Sequence, residues 1–179
     1  MGTTQKMAAE PTETMRKYER NCTAELFVRS LAPTGAHPQQ ERVLDRIEAL
    51  QQEGQIASAS VTVWGNGIAP ESATARTETG QVILETVAEF TRWASRNDRS
   101  FPSAFDERER TSMIDGDHRT MIPFPTMCLA IRDGDELQCV APCSGDGLTH
   151  SVHDCLNELG VDEQESSVHD WESGRNGRG

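Results

Sequence analysis

Apolar positions recur along the middle of the chain with two periods, one near 2 and one near 3.6, and polar stretches flank them at both ends. From Ala24 to Leu31 (AELFVRSL) apolar side chains fall on both faces of a short run, which suits an internal strand. Pro38, a favourable first helical residue, opens PQQERVLDRIEALQQEG, where Val43, Leu44, Ile47 and Leu50 form one stripe. That helix is expected to stop at Gly54. Ile56 to Trp64 (IASASVTVW) alternates, with Ala59, Val61 and Val63 on one face and Ser60, Thr62 and Trp64 on the other, as a second strand would.

Beyond the Gly65-Asn66-Gly67 punctuation, Gln81 to Asn97 repeats the helical period at Ile83, Val87, Phe90 and Ala94. Glu107 to Ile114 reads as a further strand with a fainter pattern. Thr126 to Ile131 and Leu137 to Ala141 flank Arg132-Asp133-Gly134-Asp135-Glu136, an aspartate-glycine turn between two apolar runs, and so predict a hairpin. Thr149 is the expected cap of a last helix carrying Val152, Cys155, Leu156 and Leu159 on one stripe, with Gly160 ending it. The order is β-α-β-α-β-β-β-α, which predicts an α+β fold of the ferredoxin-like kind, a mostly antiparallel sheet with helices on one face. Residues 21–160 are expected to form this single domain, between a disordered segment at 1–20 and a disordered acidic tail at 161–179.

Composition adds the solvent. Two lysines stand against fifteen arginines, and 29 acidic residues bring the formal net charge to -12. Such a surface repels itself unless concentrated salt screens it, and lysine's long apolar stem under one point charge suits water-poor brine badly. A cytoplasmic protein of a salt-loving cell is expected. No apolar run suits a signal peptide or a membrane span, so no membrane partner is expected. Five cysteines, an odd number, argue for reduced thiols and against a disulfide framework.

Two sulfurs and two imidazoles in Cys139-x3-Cys143-x6-His150-x2-His153 match zinc's preferred ligands. In one extended strand, however, Cys139 and Cys143 would stand about 13 Å apart at roughly 3.3 Å per residue, too far for one ion without a sharp turn at Pro142. Cys143, His150 and His153 remain the metal candidates, weighed against buried thiols and surface histidines, and no cofactor is expected. Cys143-Ser144-Gly145-Asp146-Gly147 could hold an anion at a helix start, but no arginine follows it, and a strand-to-helix turn is the simpler account. Asp106, Glu107 and Glu109, and Asp115 and Asp117 beside His118, read as solvated acidic loops. With no GxGxxG, P-loop, GxSxG or HExxH, an enzyme is not expected.

VLDRIEALQQEGQIASASVTVWG has the look of the last helix and wing of a winged helix-turn-helix protein, which makes Arg42 and Arg46 the DNA-binding candidates. Two helices should precede that helix, whereas a strand does, and the net negative charge gives phosphates little to bind. From Cys22 to Leu159, above all in AELFVRSLAPTGAHPQQERVLDRIEAL, SVTVWG, ILETVAEFTRWASRN and CLAIRDGDELQCVAPCSGDG, the chain resembles a family of small haloarchaeal proteins labelled as helix-turn-helix domains or uncharacterised. The resemblance implies a halophilic archaeal source and carries no activity or catalytic residue with it. The expected function is a non-enzymatic regulatory or interaction module that binds a protein partner or a second copy of itself. The alternatives are a DNA-binding transcriptional regulator and a thiol or zinc sensor.

Overall fold

The computed structural model describes residues 21–31, 35, 37–111 and 118–160; the two terminal segments read as disordered, 1–20 and 161–179, lie outside the described residues. Strand β1 (Cys22–Val28) leads through helix α1 (Pro38–Gln52) into β2 (Ser58–Val63). A short strand β3 (Gly67–Ile68) and one 3-10 turn (Thr74–Arg76) precede helix α2 (Glu78–Arg96). Then come β4 (Arg108–Thr111), β5 (His118–Pro123), β6 (Met127–Asp133), β7 (Glu136–Ala141), β8 (Cys143–Gly145), β9 (Leu148–His150) and helix α3 (Val152–Gly160).

The main sheet has the order β2-β1-β6-β7. Its two right-hand pairings are antiparallel, and the β6–β7 hairpin closes with Asp133 opposite Glu136, so the turn is Gly134-Asp135, with Gly134 at φ 58°, and not Asp133-Gly134. β1 and β2 are parallel neighbours in register from Thr23 opposite Ser58 to Val28 opposite Val63. The α+β class and the predominance of antiparallel pairing stand as expected. In a ferredoxin-like sheet a further strand would separate the two arms of this β-α-β unit; here they touch.

The helices lie on both faces of the sheet, which corrects the expectation of one covered face. Ala24, Leu26 and Val28 of β1 and Leu129 and Ile131 of β6 share a buried cluster with Val43, Ile47 and Leu50 of α1 and Val152, Cys155 and Leu156 of α3. Phe27, Cys128 and Ala130 point the other way, into a cluster with Val87, Phe90, Trp93 and Ala94 of α2. Central strands that are apolar on both faces need cover on both sides. The run AELFVRSL already carried that information.

Beneath α2 the core is aromatic. Trp64 stacks between Phe27, at 4.8 Å between ring centroids, and Phe124, at 4.6 Å, while Phe105 meets it edge-on. Trp64 is only 6% exposed. The cluster also takes in Ile68 and Ile122 and thereby fastens the second sheet, of order β3-β5-β4, to the first.

Helix ends follow local chemistry. Thr77 caps α2 by accepting a hydrogen bond from the Gly80 amide, and Gly54 beyond α1 takes φ 76°. α3 starts later than expected. Ser151, not Thr149, caps it: the Asp154 amide donates to the Ser151 hydroxyl, and the Ser151 amide and hydroxyl both donate to the Asp154 carboxylate. Those bonds, the hydroxyl's first, hold the Asp154 carboxyl below its ordinary range. Thr149 belongs to β9.

Candidate functional site

β4 and β5 form an exposed two-stranded ribbon. Its register sets Arg108 opposite Met121, Glu109 opposite Thr120, Arg110 opposite Arg119 and Thr111 opposite His118. Side chains alternate across a strand, so Arg108, Arg110 and Arg119 share one face with Met121, while Glu109, Thr111, His118 and Thr120 share the other. The next residue of β5, Ile122, has the second parity and is buried in the aromatic core. Arg108, Arg110 and Arg119 are all exposed, and Arg119 also borders a cleft with Ala69, Glu71 and Ser72. Along the arginine face two guanidinium-bearing residues stand directly across from each other, which concentrates positive charge at one place on an acidic chain.

These arginines are not among the candidates the sequence offers, and Glu109, expected in a solvated acidic loop, lies in strand β4. Asp106 and Glu107 are exposed; Asp115 and Asp117 lie outside the described residues. The missed signal is period 2: in RERT the bases and the acid occupy alternate positions, and so opposite faces of a strand.

Helix α1 presents its expected DNA candidates differently. Arg42 is exposed, but it shares the outer side of the helix with the exposed Asp45 and Glu48. Arg46 is half-buried; its guanidinium lies 3.9 Å from Glu53 and against Gly160 at the end of α3, where a Cβ on the glycine would run into it. α1, α2 and α3 are each separated from the next by strands, so no two of them make a helix pair joined by a tight turn.

The metal candidates are dispersed over different elements. The expected strand-to-helix loop after Cys143 is instead the hairpin β8–β9, in which Cys143 faces His150 and the turn residues Asp146 and Gly147 both take positive φ. His150 Nε2 lies 3.2 Å from Glu158, and His153 sits in the first turn of α3. Among the described residues no three His, Cys, Asp or Glu side chains are grouped to hold a metal ion. The cysteines do meet, in another combination: Cys139 of β7 and Cys155 of α3 have their sulfurs 3.1 Å apart. Cys22, Cys128, Cys143 and Cys155 are buried, and Cys139 is partly open.

Elsewhere, a cleft of about 610 Å³ between the end of α2 and the β6–β7 turn is lined by Glu89, Arg96, Asp135 and Glu136 around Trp93. Its mixed charges single out no ligand. Among the described residues no helix is long and apolar enough to cross a membrane. No curated protein matches the chain, and no solved structure matches it either. A family model described as a helix-turn-helix domain matches residues 16–164, most of the chain, and the protein belongs to that family.

Proposed function

We propose that the chain is a DNA-binding regulator that holds the phosphate backbone with the arginine face of the β4–β5 ribbon. Family membership supports a regulatory role. The observation that carries this reading is the segregation of the exposed Arg108, Arg110 and Arg119 onto one face of the ribbon, with the ribbon's only described carboxylate, Glu109, on the other. Arginine's planar fork suits phosphate oxygens, and a two-stranded ribbon fits a major groove. A net charge of -12 opposes adhesion of the chain to DNA at large, so contact would depend on a locally basic surface such as this one.

The test is fluorescence anisotropy on sheared duplex DNA over a KCl series. Removing three phosphate contacts should flatten the slope of log affinity against log salt by about 3 at most. The Arg108→Ala, Arg110→Ala, Arg119→Ala triple variant should show that flattening, and Arg42→Ala with Arg46→Ala should keep the wild-type slope. If the ribbon variant binds like wild type and the helix variant does not, the interface belongs to α1. A wild-type protein without chromatin enrichment over an untagged control sinks the DNA reading altogether.

A second reading, association of two copies, is favoured by β2. This strand ends the main sheet, all six of its residues are exposed, it carries no charge, and Val61 and Val63 are 45% and 50% exposed. An uncharged outer strand offers unpaired backbone groups at the place where two acidic chains repel least. Thr62→Lys should convert a sedimenting dimer to monomer; a wild-type monomer at high salt and high concentration removes the idea.

A further inference from the structure

We propose that Cys139 and Cys155 are a redox pair that closes to an intramolecular disulfide on contact with a hydroperoxide. The two sulfurs come from elements far apart in topology, the edge strand β7 and helix α3, yet stand 3.1 Å from each other. A disulfide needs about 2.05 Å between sulfurs, so an approach of roughly 1 Å completes the bond without moving either element far.

The two thiols are not equivalent. Cys139 is the partly exposed residue of the pair, whereas Cys155 is 3% exposed, so a small oxidant has the shorter way to Cys139. Cys155 donates its S–H to the Cys139 sulfur. That hydrogen bond pulls the Cys139 thiol below its usual range, with help from Arg99 and against the effects of burial and Glu158. The same bond and burial push Cys155 up. Cys143, nearby and buried, is also raised, chiefly by burial. One sulfur is thus prepared to attack and its neighbour to resolve.

In the first step the Cys139 thiolate attacks one peroxide oxygen; an S–O bond forms, the O–O bond breaks, and the leaving oxygen takes up a proton. Cys139 is then a sulfenic acid. In the second, the Cys155 sulfur attacks the Cys139 sulfur, the S–O bond breaks, and the departing hydroxide leaves as water with the Cys155 proton. Two thiols lose two electrons together, and the hydroperoxide is reduced to water and an alcohol, or to two waters when it is hydrogen peroxide. The new bond pins α3 to β7. Because α3 packs on α1, with Gly160 against Arg46, oxidation fastens that helical layer to the sheet.

The experiment exposes the reduced full-length chain to hydrogen peroxide, blocks remaining thiols under denaturing conditions, and counts them by mass. Two of the five thiols should be lost, with a peptide linking Cys139 to Cys155. Cys155→Ser should stop at a Cys139 sulfenic acid trapped by dimedone, Cys139→Ser should give neither product, and Cys22→Ser should behave as wild type. Five free thiols at peroxide levels that oxidise free cysteine overturn the proposal, as does a link from Cys139 to Cys143 or sulfenic acid appearing first on another cysteine. Since thiol counting needs no DNA, failure here and failure of the ribbon assay are read separately.

Discussion

Arg132 of β6 ties three elements together, and replacing it with methionine should cost about 2 kcal/mol at neutral pH. Its guanidinium donates two parallel hydrogen bonds to Glu89 of α2, at 2.8 and 2.6 Å, and a third at 3.0 Å to Glu25 of β1. The arginine side chain is 18% exposed and its partners 35% and 33%. Exposed pairs are worth about 0.2–1 kcal/mol, and breaking a buried pair costs about 3–5 kcal/mol. This fork lies between those limits, nearer the first because both carboxylates still reach water. Methionine keeps most of the apolar stem's packing, so the loss reports the charge.

Acid provides the internal check. The Glu89 carboxyl is held below its ordinary value of 4.5, first by the hydrogen bond from Arg132. A folded-state value below the unfolded one means that the stabilisation is fully present above the unfolded value and is lost as pH falls through the folded one. The gap between wild type and Arg132→Met should therefore be constant from about pH 7 to about pH 5 and narrow below about pH 4. Urea unfolding followed by tryptophan fluorescence at each pH, in molar KCl, measures it. A gap under about 0.5 kcal/mol at neutral pH, or one that does not narrow in acid, refutes the assignment of this stability to the fork.

Phe90 is fully buried and meets Phe27 and Phe105 edge-on, so Phe90→Ala should cost about 3–5 kcal/mol in the same assay. Gly80→Ala should destabilise by about 1–3 kcal/mol even though alanine is the better helix former, because the added Cβ would be driven into the Thr74 carbonyl; a rise in melting temperature contradicts this. With net charge -12, the melting temperature should climb between about 0.1 M and about 3 M KCl as self-repulsion is screened, and an unchanged value removes the argument from composition.

What was legible in the sequence is what buries apolar surface. α1 starts at Pro38, a residue suited to the first helical position, and β6 and β7 flank a turn within the expected Arg132–Glu136 segment. The side on which each helix lies was harder, because periodicity gives a buried face without saying against which side of the sheet it packs. Short hairpins escaped for another reason. β8 and β9 have three residues each, too few for any period, so Asp146-Gly147 passed for a loop before a helix although it is itself a hairpin signal.

Of the ribbon, patterning gives only β4, within the faint strand from Glu107 to Ile114; β5 and the thiol pair fall outside it. β5 reads HRTMIP, with its first three residues exposed and its apolar contribution confined to the end nearest the core. Such a strand is held by its ladder to β4 and by Ile122, and composition sees only charge. Parity recovers it once a strand is granted: Arg108 and Arg110 cannot share a face with Glu109. No such rule recovers Cys155 as the partner of Cys139. Spacing favoured Cys143, four residues away, but the turn at Pro142 sends that residue into a hairpin while α3 returns across β7. Sequence distance ranks partners only within one element; between elements the crossing of helix and strand decides, and here it brings together two thiols that no motif joins.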